Sequence, residues 1–215
     1  MSDNDSLDPF FVPRAVAVVG ASTRPTSVGH ALLKNLLYGR MKGDERSAGF
    51  PGQVYAVNPK GGEILGVKAH ESLTAIAEPV DLVVVAIPPK YIPALMTECG
   101  EKGVPAAIVI SAGFAEMGEE GKALQDEMRS KADAAGVRII GPNCLGVMRP
   151  SAGLNASFAV GGPKPGAIGL LSQSGALVTG LLSYAERERF GLSAAVSRGK
   201  ELNLEDVVNE LLPAL

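Results

Sequence analysis

The sequence predicts an α/β protein in which a doubly wound parallel sheet is followed by an incomplete second α/β unit. Three observations point there. Strand-length apolar runs alternate with amphipathic helical stretches from residue 15 to residue 140, the order that builds a parallel sheet through right-handed crossovers. Four runs, at residues 16–19, 106–110, 137–140 and 168–171, stop in tight loops of small residues, two of which run into a helix. Such loops leave backbone N–H groups bare at the strand ends, where a helix N-terminus adds partial positive charge and favours an anion. Finally, residues 150–166 break the rhythm with Gly, Pro and small polar residues, which sets a domain boundary near Arg149, with one domain over 10–149 and the start of another over 150–215.

The elements follow in order. Residues 15–19 are Ala and Val only, the pattern of a strand buried on both faces. Ser27-Val28-Gly29-His30 opens a helix whose Leu32, Leu33, Leu36 and Leu37 recur at helical spacing, and Gly39 closes it. Residues 41–52 read as a surface excursion. A second strand at 54–57 ends in Asn58-Pro59-Lys60, and residues 64–67 suggest a short extra strand. A brief helix is expected at 72–77 and the most hydrophobic strand at 81–87, ending in Pro88-Pro89. Helices at 91–102 and 119–135 alternate with strands at 106–110 and 137–140. Beyond the boundary, a strand at 168–171, a helix at 176–188, a strand at 194–197 and a helix at 205–212 make a fragment too small to cover its own sheet. Either a partner supplies the remainder, so that the chain associates with itself or another chain, or the fragment packs on the first domain.

Composition narrows the function. The 215 residues are 46% hydrophobic, enough for a core, but no apolar run approaches the length of a membrane span. The leader, residues 1–9, is acidic and polar rather than basic and then apolar, so the expected compartment is the cytoplasm. A net charge of −3 with mixed signs argues against a general nucleic-acid binder. Cys99 and Cys144, the only cysteines, fall in different elements and define neither a disulfide framework nor a metal site.

The loop Gly20-Ala21-Ser22 invites a dinucleotide reading, but a serine stands where the fingerprint's second glycine belongs and Gly29 comes late. Asn58 and Lys60 close the second strand where a ribose-binding acid would stand. A cation there suits an extra phosphate near an adenosine ribose, which CoA and NADP both carry. Elsewhere the candidates are weaker. Glu119 and Glu120 favour a helix dipole, and with Glu116, Asp126 and Glu127 they read as a solvated face. Cys144 has no basic neighbour in sequence and reads as packing. Ser172 and Ser174 lack the glycines of a nucleophile elbow. His30 and His70 read as helix-edge or surface residues, and no catalytic residue or metal ligand is assigned.

Taken together, Val18-Val19-Gly20-Ala21-Ser22 with Ser27-Val28-Gly29, Val57-Asn58-Pro59-Lys60, Ala86-Ile87-Pro88, Ile110-Ser111-Ala112-Gly113-Phe114, Gly141-Pro142-Asn143-Cys144-Leu145-Gly146, Gly153-Leu154-Asn155-Ala156-Ser157-Phe158 and Ser172-Gln173-Ser174-Gly175-Ala176 resemble the CoA-binding region of NDP-forming acyl-CoA synthetases. That family includes ADP-forming acetyl-CoA synthetase. It is related to the succinyl-CoA synthetase α subunit and to the N-terminal part of Pat-type protein lysine acetyltransferases. The resemblance implies a Rossmann-like CoA-binding domain followed by an incomplete flavodoxin-like domain of succinyl-CoA-synthetase type. It further implies that Gly20, Ser22, Ser27, Val28 and Gly29 wrap the CoA phosphates, that Asn58 and Lys60 meet the adenosine end, and that Ile87 and Pro88 line the adenine slot. Ser111, Ala112, Gly113 and Asn143 would follow the pantetheine of CoA or acyl-CoA, and Ser172, Gln173, Ser174 and Gly175 would handle phosphate.

Two departures bear on activity. The family's phosphohistidine lies further along than this sequence runs, and no ATP-grasp region is present. In addition, Ser197-Arg198-Gly199-Lys200 has lysine where the family has asparagine. Thioester formation is therefore expected only together with a chain bearing the ATP-grasp and phosphohistidine parts. A non-catalytic acyl-CoA sensor and an NADP-dependent reductase are the competing readings.

Overall fold

The computed structural model describes residues 7–39, 41–42, 45–46 and 49–197. The helix expected at 205–212 and the Lys200 position lie outside the described residues. Strand β1 (Ala15–Val19), buried at all five positions, sits inside a seven-stranded sheet. On one side come β4 (Gln53–Val57), β6 (Val67–His70) and, at the edge, β5 (Glu63–Ile64); on the other come β7 (Leu82–Val85), β8 (Ala106–Val109) and β9 (Arg138–Ile140). All pairings are parallel except that between β5 and β6. Val19 is level with Val57 on one side and with Val85 on the other, so the strands end together. The chain leaves β1 toward β4 and returns on the opposite side at β7, which makes the β1/β7 end the switch point where ligands of such sheets lie.

The alternation of β1 explains its two coats. Val16 and Val18 pack with Leu32, Leu33 and Leu36 of α2 (Val28–Tyr38) and with Phe10 and Phe11 of α1 (Asp8–Phe11). Ala17 and Val19 pack with Ile92 and Met96 of α3 (Ile92–Lys102) and with Met128 and Ala132 of α4 (Glu119–Ala135). The three buried leucines of α2 contribute roughly 1.5–3 kcal/mol each through removal from water. Ser27 caps this helix, its Oγ accepting from the His30 N–H at 3.3 Å, and the Gly39 N–H closes it on the Asn35 carbonyl. The excursion after it contains a small hairpin of β2 (Met41–Lys42) and β3 (Glu45–Arg46).

Two local expectations change. The single strand expected at 64–67 is instead the tip of a hairpin, Ile64 ending β5 and Val67 opening β6 around Leu65 and Gly66, both at positive φ; an apolar residue in the turn disguised it. Residues 72–77 form no helix. Leu73 and Ile76 are buried at helical spacing, but side chains of α3 take up the backbone groups of this segment: Glu98 accepts from the Thr74 N–H, and Lys102 donates to the carbonyls of Ile76 and Ala77. With those partners and so few residues, a costly helical nucleus gains nothing.

The break in rhythm over residues 150–166 hides a strand. β10 (Gly146–Arg149) and β11 (Leu154–Ser157) form an antiparallel pair, and a four-stranded sheet runs β11, β10, β13 (Leu192–Ser197), β12 (Pro165–Ser172). β13 is antiparallel to β10 and parallel to β12, so hydrogen bonding in this sheet crosses the Arg149 position. One face, with Val147, Ala156 and Val196, joins the core beneath α2; the other, with Met148 and Ala195, is covered by Val178 and Leu182 of α5 (Gly175–Arg187). The fragment therefore packs on the first domain. β12 remains the outer strand, with residues 165–169 exposed. Among the described residues no helix is long and apolar enough to cross a membrane.

Candidate functional site

The first loop is held by backbone contact. Gly20 has φ +96° and lies so near the Ala86 carbonyl that a Cβ would fall 2.3 Å from its oxygen. A Cβ on Gly29 would fall 1.9 Å from the Gly20 carbonyl oxygen. Gly29 thus seats α2 directly on the loop, the task of a fingerprint's last glycine performed at a different spacing. The N–H groups of Val28 and Gly29 open the helix without intrahelical acceptors.

Side chains wire the rest of the loop. Ser22 Oγ accepts from the Arg24 N–H at 3.1 Å, and Ser27 Oγ donates to the Arg24 carbonyl at 2.8 Å. His30 Nδ1 lies 2.9 Å from the Ser22 carbonyl, whose oxygen can only accept, so the ring donates there. Asn58 uses both ends of its amide: Nδ2 donates to the Ala21 carbonyl at 2.7 Å, and Oδ1 accepts from the Lys60 N–H at 2.9 Å. Asn58 consequently ties the end of β4 to the loop after β1 and turns Lys60, whose side chain is exposed, outward.

The neighbouring strand ends are tied in the same way. Ser111 Oγ donates to the Ile87 carbonyl at 2.6 Å, and the Asn143 N–H donates to the Ser111 carbonyl at 3.0 Å. The Gly113 N–H donates to Glu116 Oε1 at 2.6 Å. Cys144 is buried, and its Sγ lies 3.3 Å from the Val109 carbonyl. Burial pushes its thiol up to about 12, which favours the neutral form. On the second sheet, Ser174 caps α5 by accepting from the Leu177 N–H at 3.2 Å, and Ser172 Oγ accepts from the Ser174 N–H at 3.1 Å. Ser197 Oγ accepts from the Leu145 N–H at 3.1 Å, joining β13 to the loop that ends in Gly146.

Between these strand ends and the two helix starts lies an open cavity of about 670 Å³. Its first-domain wall includes Val28, Ile87, Ser111, Ala112 and Asn143; its second-sheet wall includes Gly175, Ala176 and Thr179. Residues from both halves of the sequence are thereby brought together. Gly20, Ser22, Ser27, Gly29, Asn58, Lys60, Pro88, Gly113, Ser172, Gln173 and Ser174 are not part of the wall. Sequence reasoning assigned no role to Phe158, Leu145 or Thr179, which also line it. The available signal for Phe158 was an aromatic residue alone in a stretch of small ones. No Asp, Glu, Lys or Arg lines the cavity among the described residues.

A doubly wound sheet whose switch-point loop and neighbouring helix start are shaped by backbone packing is the architecture of nucleotide-binding folds. Residues 14–150 match the family described as the CoA binding domain, and the chain belongs to that family. Residues 165–213 match the succinyl-CoA ligase like flavodoxin domain, so the fold is a Rossmann-like domain with part of a flavodoxin-like one. The chain is 41% identical over 205 residues to the α subunit of an ADP-forming acetate–CoA ligase I of Pyrococcus furiosus, covering 94% of this chain and 42% of that one. A solved acetyl-coenzyme A synthetase 1 of Candidatus Korarchaeum cryptofilum, in complex with phosphate and ADP, superposes with a TM-score of 0.87 at 35% identity, over 95% of this chain and 42% of that chain. A Pyrococcus horikoshii protein of known crystal structure gives 0.88 at 37% identity, over 96% and 46%. The chain thus spans less than half the length of these relatives.

Proposed function

We propose that this chain is the CoA- or acyl-CoA-binding portion of an ADP-forming acid:CoA ligase. The observation that carries the proposal is the single cavity onto which the starts of both α2 and α5 open, through Val28 and through Gly175 and Ala176. A ligand with phosphates at one end and a reactive thiol at the other suits a site built from anion-ready loops and a second helix start. The backbone packing at Gly20 and Gly29 fixes where the bare N–H groups at the start of α2 lie, which supports a phosphate there. In this reading Gly20, Ser22, Ser27, Val28 and Gly29 surround the phosphates, mainly through backbone N–H groups, since the Ser22 and Ser27 hydroxyls already serve the loop. Lys60 meets the ribose phosphate, with Asn58 holding its turn. Ile87 and Pro88 face the adenine, and Ser111, Ala112, Gly113 and Asn143 follow the pantetheine. Ser172, Gln173, Ser174 and Gly175 present the start of α5 to transferred phosphate.

The ligase relatives named above support this reading over the sensing one, and an α subunit among them supports assembly with another chain that brings the ATP-grasp and phosphohistidine parts. The cytoplasm, which supplies CoA and ATP, is the compartment that goes with it. Isothermal titration of the 215-residue chain with CoA, and with NADP as comparison, tests the binding half. Saturable CoA binding without NADP binding is expected; NADP binding in preference to CoA would replace the proposal with the reductase reading. Thioester formation on addition of a chain carrying the ATP-grasp and phosphohistidine parts tests the catalytic half, and CoA binding without it would favour the sensor.

A further inference from the structure

Residues 22–30 carry a closed ring of hydrogen bonds that ends on His30. Ser22 Oγ accepts from the Arg24 N–H at 3.1 Å, the Arg24 carbonyl accepts from Ser27 Oγ at 2.8 Å, and Ser27 Oγ accepts from the His30 N–H at 3.3 Å. The His30 side chain completes the circuit by donating from Nδ1 to the Ser22 carbonyl at 2.9 Å. One residue of α2 thus holds the loop twice, through its backbone and through its imidazole. A histidine that merely edged the helix would leave its ring to water. This one is part-buried and turned back onto the loop after β1.

The bond from the imidazole decides where a neighbouring donor points. A peptide unit is planar and trans, so its C=O and N–H lie on opposite sides. With the Ser22 carbonyl held toward His30, the N–H of the same peptide, that of Thr23, faces away from the imidazole. Asn58 fixes the preceding peptide in the same way, through the Ala21 carbonyl. Thr23 is exposed, and among the described residues its N–H has no acceptor. The Ser22 and Ser27 hydroxyls, by contrast, are engaged inside the ring of hydrogen bonds. We infer that His30 is a positioning residue for the first loop: by holding the Ser22 carbonyl it presents the Thr23 N–H to the diphosphate of CoA. This rests on the CoA reading. The anion then meets a donor whose direction is set before it arrives, so no peptide has to reorient on binding.

Titration of the full chain with CoA and with 3′-dephospho-CoA, which share the diphosphate, tests this in His30→Ala, His30→Asn and His30→Gln. His30→Ala is expected to weaken both ligands by about tenfold, the scale of one hydrogen bond to a charged group. Asparagine carries its amide nitrogen on Cγ, where histidine carries Nδ1, so His30→Asn should bring both affinities back to within about threefold of the wild type. Glutamine sets its amide one carbon further out and should bring back neither. In the isotope-labelled wild type the Thr23 amide proton should move downfield when CoA is added, as an N–H that gains a phosphate oxygen does. That amide shift and the comparison of asparagine with glutamine decide the matter even if the alanine variant does not fold. Wild-type affinity in His30→Ala, equal affinities in His30→Asn and His30→Gln, a loss confined to CoA, or a Thr23 amide that CoA leaves unmoved overturns the inference and leaves CoA binding standing. Failure of the wild-type chain to bind either ligand overturns the CoA reading, and this inference with it.

Discussion

Gly29 faces the carbonyl oxygen of Gly20 with no space for a β-carbon between them. The contact fixes how α2 leaves the end of β1, and backbone on both sides means that neither partner can turn aside. Gly29→Ala is therefore expected to destabilise the chain by about 1–3 kcal/mol through overpacking and to weaken CoA binding beyond what stability explains. Urea denaturation and CoA titration of the same preparation check this. Unchanged stability would mean that α2 slides freely on the loop.

Lys60 is exposed and its turn is held by Asn58 rather than by its own side chain. Lys60→Ala should leave stability within about 0.5 kcal/mol, as for other surface changes. Its loss should weaken CoA by up to about fivefold, the scale of an exposed ion pair. It should leave 3′-dephospho-CoA unaffected. Equal weakening of both ligands would place Lys60 away from the ribose phosphate.

Asn58 separates two contributions that Lys60 does not. Asn58→Ala removes the bond to the Ala21 carbonyl and the support of the Lys60 N–H, and should cost about 1–2 kcal/mol. Asn58→Asp keeps the acceptor for Lys60 but loses the donor to Ala21. If the tie between β4 and the first loop matters most, the aspartate variant will be as unstable as the alanine one in chemical denaturation.

Cys99 and Cys144 are both buried, and burial holds each thiol up to about 12 against an ordinary value of 9.0. A folded-state value above the unfolded one means that the unfolded chain releases these protons first. The stability tied to the neutral thiols is then intact below pH 9 and is lost progressively as pH rises toward about 12. Denaturation at pH 8 and pH 10.5 should show a larger fall for the wild type than for a Cys99→Ala, Cys144→Ala double variant. At pH 8 a thiol reagent should modify neither cysteine until the chain unfolds.

The first sheet was legible because its strands are nearly pure Ala, Val, Ile and Leu and its helices carry clean periodicity, as in residues 15–19 and 28–38. Residues 72–77 misled because Leu73 and Ile76 keep helical spacing while their backbone partners come from α3, information that no local pattern holds. β11 escaped because Leu154-Asn155-Ala156-Ser157 alternates with small and polar residues that are all buried, so alternation no longer distinguishes core from solvent. The loops at the site could be seen as anion-ready from glycine and serine alone. That Asn58 serves the backbone could not, because its acceptor, the Ala21 carbonyl, lies in another loop. Phe158 stood in a quoted motif without a role, and its place at the cavity followed only from the fold.

The cavity wall is shared between the large sheet and the small one, with Ser111 and Asn143 on one bank and Gly175 and Thr179 on the other. Any molecule filling it is in effect a strut between them. Its binding free energy then adds to the cohesion of β12, α5 and β13, which own the outer strand and the thinnest cover. Occupancy should merge the melting of this weaker portion with that of the large sheet, so that a saturated chain unfolds as a single cooperative body.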